Sequence, residues 1–269
     1  MALYTIADLH LPLGIDKPMD IFGKAWENYV ERLADNWQSV VKGNDVVVLP
    51  GDFSWATYLE QSVKDFEYLH KLNGKKILLK GNHEYMMQEA LKEAIDHNDF
   101  DFPSCEFKLW AQNGGEKTIE NIRNYLCKKN LYHCDYTIVR NVFLRNLYNY
   151  LKNLPLYIEL TVNHKDYVLV HAGIDPENSL EDQEEDTLLW IRDYFFLSEC
   201  DLKKTYIFGH TPLCFINRDK SFDVWYDDEF HNKIGIDGGL ALGERGQLNC
   251  ICLDDDKVFV IKMSEVNHA

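Results

Sequence analysis

Lys80-Gly81-Asn82-His83-Glu84-Tyr85-Met86-Met87 (KGNHEYMM) follows the aliphatic run Ile77-Leu78-Leu79. An aliphatic run closed by glycine reads as a buried strand. Residues 81–84 should then lie on the loop at its carboxyl end, where open α/β sheets place their chemistry. Working outward, strand-like runs at 3–7, 46–49 and 76–79 alternate with stretches at 25–41, 59–72 and 85–95, whose apolar residues recur at three and four spacing. That βαβαβα order predicts parallel strands joined by helical crossovers.

The remainder reads differently. Strand-like runs at 157–162, 167–170, 205–208, 233–236, 249–253 and 258–261 include two close pairs, separated by the turn-like Asn163-His164-Lys165 and Asp254-Asp255-Asp256. These predict a more antiparallel second sheet facing the first. The expected class is α/β: an α/β/β/α sandwich of two mixed β-sheets flanked by helices. Residues 100–153 read mostly as helix, clearest at 118–129 and 142–153, and are expected to form a helical cap or insertion. With no repeat, low-complexity tract or Gly/Ser linker, residues 1–269 read as one domain.

Composition narrows the function. A chain of 269 residues with 46% hydrophobic content is ample for a packed core. Its 44 acidic and 28 basic residues give a formal charge of −16, which repels a phosphate backbone and disfavours a nucleic-acid duplex as partner. The acid at 181–186 and 254–256 reads as solvated face or turn. Seven scattered cysteines without a Cys-x-x-Cys pair suggest neither a disulfide framework nor a zinc ribbon. The amino terminus lacks a basic leader pattern and no apolar run approaches membrane-spanning length, so a cytoplasmic protein with no membrane partner is expected.

Five short motifs end or nearly end apolar runs with Asp, Asn or His: Asp8-Leu9-His10, Gly51-Asp52, Gly81-Asn82-His83-Glu84, His171-Ala172-Gly173 and Gly209-His210-Thr211. Any one of them is common by chance, and a lone histidine after a strand is usually a hydrogen-bonded core or loop residue. Together they bring carboxylate, carboxamide and imidazole groups to one sheet edge. That crowding is costly without a cation, and the same groups are the ligands of borderline divalent metals.

In this order the motifs resemble the calcineurin-like metallophosphoesterases, which include the phosphoprotein phosphatases. The resemblance implies a phosphoesterase that hydrolyses phosphate esters through a metal-bridging hydroxide, with two divalent or trivalent transition-metal ions (Mn, Fe or Zn). It also implies that Asp8 and His10 bind the first metal, that Asp52 bridges, and that Asn82, His171 and His210 bind the second. His83 would be the general acid, Glu84 a structural group, and Arg192 a clamp on the substrate phosphate. The segments at 113–118, 168–176, 189–192, 208–212 and 236–239 further resemble bacterial phosphoprotein phosphatases. Asp237 reads as the cap of a glycine turn.

One departure bears on the substrate. Phosphoprotein phosphatases follow the bridging aspartate with Asp-Arg-Gly, whereas this chain continues Phe53-Ser54-Trp55-Ala56. Loss of the second arginine weakens selection for a monoester dianion and leaves a phosphorylated small molecule, a nucleotide or a protein as substrate. A protein Ser/Thr phosphatase and a dinucleoside polyphosphate hydrolase are the alternative enzymes. A metal-binding scaffold without turnover is a further alternative, opposed by retention of the whole ligand set.

Overall fold

The computed structural model describes residues 1–13, 28–54, 59–96, 136–243 and 245–262. Two five-stranded sheets form its frame. In the first, β1 (Leu3–Ile6), β2 (Val46–Leu49) and β3 (Lys75–Leu78) are parallel neighbours, connected through α1 (Tyr29–Val40) and α2 (Leu59–Lys71). α3 (Asn82–Asp96) follows β3 and packs against α4 (Tyr136–Lys152) through Met86, Ala90 and Leu91 on one side and Leu144, Leu147 and Leu151 on the other.

The second sheet runs in the order β4 (Tyr157–Val162), β5 (Lys165–Val170), β6 (Thr205–Phe208), β8 (Lys233–Gly235), β7 (Trp225–Tyr226). Its edge pairs β4·β5 and β7·β8 are antiparallel, but its centre, β5·β6·β8, is parallel. The short helices α5 (Glu185–Trp190), α6 (Asp193–Phe196) and α7 (Leu213–Ile216) lie in the connections of this half. The final hairpin, β9 (Gln247–Cys252) and β10 (Lys257–Lys262), does not join the second sheet. It extends the first, with β9 antiparallel to β1.

Alternation along the strands builds the layers. Val47 and Leu49 face α1 and α2 in one cluster with Leu33, Trp37, Leu69 and Leu72, whereas Val48 between them points inward. Val168 and Val170 likewise pack with Leu188, Phe195 and Phe196 outside, while Tyr167 and Leu169 turn inward. The inward side chains of both sheets, including Val48, Ile251, Leu169 and Ile207, share one central cluster. The architecture is therefore the expected α/β/β/α sandwich of two mixed sheets flanked, among the described residues, by seven helices.

Two expectations need correction. The second half does not make a largely antiparallel sheet of its own, because its last hairpin satisfies the open edge of β1 and its inner strands run parallel. The Gly-Asn-His-Glu motif is not a loop: helix α3 begins at Asn82. Gly81 sits at the N-cap position, its carbonyl accepting from Tyr85 N (3.1 Å), while the Glu84 carboxylate reaches back to Gly81 N (2.8 Å), one half of a capping box. Strand β7 and the short helices α5 to α7 fall below the length at which periodicity is readable. Of the expected helical insertion, residues 136–153 are described and carry α4; residues 118–129 and Cys105, Cys127 and Cys134 lie outside the described residues.

Smaller readings hold. Asn163 and His164 form a two-residue turn between β4 and β5 with φ of 48° and 65°, the positive pair that a type I′ hairpin requires. The acidic run 254–256 is the β9–β10 turn, where Asp254 also accepts from Leu3 N at 2.7 Å. Within 181–186, Glu185 departs from the solvated face and pairs with Lys80 at 2.7 Å. The described cysteines Cys200, Cys214, Cys250 and Cys252 are free thiols, and no described helix is long and apolar enough to cross a membrane.

Candidate metal centre

The loops leaving β1, β2 and β3 in the first sheet, and β5 and β6 in the second, open on the same side. They carry Asp8 and His10, Asp52, His171 and His210, and Asn82 opens α3 directly after the β3 exit; all are buried. Within each sheet the exit loops are tied backbone to backbone: His10 N donates to Asp52 O (3.1 Å), and Gly209 N donates to His171 O (2.8 Å). Side chains join the two sets, with His210 N donating to the Asp8 carboxylate (3.2 Å) and His171 Nδ1 meeting the Pro50 carbonyl (2.8 Å). Tyr29 on α1 holds the His10 carbonyl from beneath at 3.0 Å.

The local backbone is unusual. Asp8, His10, Asp52 and His210 have φ of 52°, 44°, 48° and 62°, in the left-handed region that non-glycine residues visit at a cost. This turn at each strand end swings the side chain back over the sheet edge. Glycines make room for it. A Cβ on Gly81 would strike the Asp52 carboxylate and lie 2.8 Å from Glu84 Oε2, and one on Gly51 would lie 2.6 Å from His171 Nδ1.

Lys80, the first residue of the decisive stretch, is buried and anchors the whole turn. Its ammonium donates to Gln88 Oε1 (2.8 Å) and Glu185 Oε1 (2.7 Å), which links α3 to α5 beneath the site. A buried ammonium with two acceptors is satisfied, so Lys80 is a structural cation.

Ligand atoms of Asp8, His10 and Asp52 all lie within 4.8 Å of one another. A second convergence involves His171 Nε2, which is 3.0 Å from Asn82 Oδ1 and 3.7 Å from Asp52 Oδ2. Two ligands each about 2.1 Å from one ion and at right angles are about 3 Å apart, so these separations suit a shared cation. With Nδ1–H donated to Pro50 and burial holding the His171 pKa down, Nε2 presents a lone pair to a carbonyl oxygen. A cation between them would take both lone pairs as ligands. His210 Nε2 is buried with no hydrogen-bond partner.

Electrostatics point the same way. Burial lowers the His10 pKa to about 3 and that of His210 to about 2, leaving both imidazoles neutral, the form that binds metal. Burial, then the charges of Asp237 and Asp52, push the Asp8 carboxyl up. Crowded carboxylates beside neutral imidazoles are a donor set that fits a pair of metal ions.

The other expected residues sit around a cavity of about 500 Å³ that opens onto Asp8, His10, Asp52 and Asn82. His83 lines it, with its side chain one-third exposed and Nε2 3.9 Å from Asp52 Oδ2. Arg192 lines it too, its Nη1 donating to the His210 carbonyl (2.9 Å) and Thr211 Oγ1 (3.1 Å) rather than to Asp193. Asp237 accepts from Gly239 N at 2.8 Å, as a turn cap should, but it also borders the cavity. Phe215 was not singled out from sequence, and Thr211 only as a member of the Gly209-His210-Thr211 motif; for Phe215, closeness to His210 in the chain was the available signal. Trp55 and Ala56 lie outside the described residues.

Comparison with known proteins identifies the family. The model of the calcineurin-like phosphoesterase family matches residues 1–214. No significant match was found among curated proteins. A solved structure described as a candidate diadenosine tetraphosphatase is similar over 97% of this chain and 92% of its own, at 14% identity and a TM-score of 0.52, a likeness of fold. A hypothetical protein from Pyrococcus horikoshii OT3 aligns over 99% of this chain and 89% of its own, with 10% identity and a TM-score of 0.45. An archaeal phosphodiesterase aligns over 97% and 99%, with 13% identity and a TM-score of 0.37. With the family model spanning every expected metal ligand, the chain belongs to the calcineurin-like phosphoesterase family.

Proposed function

We propose that this metal-dependent phosphoesterase holds two transition-metal ions, one by Asp8 and His10, one by Asn82, His171 and His210, with Asp52 shared. The observation that carries the reading is the meeting of His171 Nε2, Asn82 Oδ1 and Asp52 Oδ2 beside the Asp8–His10–Asp52 group. When bound, the ions lower the pKa of coordinated water and neutralise charge on the phosphoryl group.

The protein's own groups do the rest. Arg192, steadied by His210 O and Thr211 Oγ1, presents its guanidinium to the phosphate oxygens and orients the ester. His83 extends from the first turn of α3 into the cavity and donates its ring proton to the leaving oxygen. His171 is fixed in one ring orientation by Pro50, so it acts as a ligand and not as a proton carrier.

The test is elemental analysis together with hydrolysis of p-nitrophenyl phosphate by stripped and by Mn-, Fe- or Zn-loaded protein. About two ions per chain and turnover only in a loaded form are expected. No bound metal, or equal rates with and without it, overturns the reading.

A further inference from the structure

We propose that Phe215 is an aromatic wall of the substrate cavity and that the preferred phosphate ester carries a planar nucleobase; the inference rests on the phosphoesterase reading and names its substrate class. Phe215 stands on α7, immediately after the Gly-His-Thr-Pro turn that supplies His210. Among the described residues lining the cavity it is the only large apolar side chain, set among carboxylates, imidazoles and the Arg192 guanidinium. It is nevertheless 63% exposed.

A single exposed phenylalanine on a surface needs no explanation. This one lies on the wall of the chemical site and is held there. Leu213 is wholly buried and its N–H donates to Asp237 O (2.9 Å); Phe215 N donates to Pro212 O (2.9 Å), and Asn217 N closes the turn onto Leu213 O (2.7 Å). The ring is thus carried on a backbone fixed at both ends, which suits a flat partner because little ordering remains to be done on binding.

Cavity size adds a second argument. A volume of about 500 Å³ lies in the range of sites that enclose a whole small molecule and exceeds what a phosphoryl group needs. With the phosphate at the metal ligands and Arg192, the rest of the ligand extends along the wall that Phe215 occupies. Every nucleobase has a π-face, so stacking there selects the class without choosing the base.

Initial-rate competition of adenosine 5′-monophosphate and of ribose 5-phosphate against p-nitrophenyl phosphate on the metal-loaded protein gives both affinities before either ligand is consumed, and it isolates the base, since both bring the same phosphate. The parent should bind the nucleotide about tenfold more tightly, the low end of base stacking on an aromatic side chain. Phe215→Ala should bring the two affinities within about twofold, and Phe215→Trp should keep the gap. Phe215 is exposed, so the Ala variant should melt with the parent; a matching circular dichroism spectrum verifies its fold. Equal affinities in the parent, an unchanged gap in Phe215→Ala, or no nucleotide binding overturns the proposal. Hydrolysis of p-nitrophenyl phosphate by the loaded parent separates that result from failure of the phosphoesterase reading.

Discussion

The Glu84 carboxylate accepts a hydrogen bond from the backbone N–H of Asp52 at 3.1 Å, across 32 residues of chain. The same oxygen, Oε2, accepts from Gly81 N at 2.8 Å, so one atom fastens the β2 exit turn to the start of α3. Burial and the Asp52 charge push the Glu84 carboxyl up to about 8, against the pull of these donors. Protonated or not, the oxygen keeps its acceptor role. Glu84→Gln, which retains a carbonyl oxygen, should therefore stay near parent stability. Glu84→Ala strands two buried N–H groups and should lose about 2–6 kcal/mol, at roughly 1–3 kcal/mol for each buried group left unsatisfied. Denaturant unfolding of both variants checks this; equal losses would show that the acceptor is not what matters.

Asp52 is the residue common to both convergences of ligand atoms. Asp52→Asn should lower bound metal and reduce turnover by more than about a hundredfold, the upper range for residues that only support metal ligands. Metal content by elemental analysis and rate on p-nitrophenyl phosphate are read together. Full metal occupancy with parent turnover would remove Asp52 from the centre.

His83 donates a proton in the proposed reaction and holds no ion. His83→Asn should keep the parent metal content yet lose about 10²–10⁴-fold in rate on alkyl esters, the usual contribution of general acid catalysis. The loss should shrink for p-nitrophenyl phosphate, whose leaving group needs no proton. A loss independent of the leaving group counts against the role.

Asp65 on α2 is fully buried, accepting from Ser54 Oγ (2.5 Å) and Leu13 N (2.9 Å), so it ties together the chain leaving β1 and the chain leaving β2. Burial raises its pKa from the ordinary 3.8 to about 7 despite those donors. A carboxyl whose folded pKa is raised stabilises the fold fully below its unfolded value, and that contribution is lost as pH rises through the folded pKa. The parent melting temperature should thus fall more steeply between pH 4 and 7 than that of Asp65→Asn, whose amide does not titrate. Parallel curves for parent and variant would refute the assignment.

Much of the site was legible because its residues end regular strands. The runs Ile77-Leu78-Leu79 and Val46 to Leu49 are short, unbroken and aliphatic, as buried strands are, and the polar residues after each run mark its exit. What could not be read were contacts between elements far apart in the chain. Asn82 read as the ligand of a loop, but helix α3 starts with it, because Glu84 supplies the missing acceptor at the helix amino terminus. Phe215 was passed over since nothing in its neighbourhood of sequence shows which way a four-residue helix turns its aromatic ring.

The sequence by itself determined the α/β class, the parallel β1–β2–β3 opening and the residue types that could hold metal, since these follow from local period and from the chemistry of side chains. Only the tertiary structure decided that β9 lies beside β1, that His171 reaches Asn82 across 89 residues, and that Arg192 braces the His210 carbonyl. Strand adjacency and side-chain meeting depend on which edges and faces remain open once every other element is packed. That is a property of the assembled sandwich, which no local stretch carries.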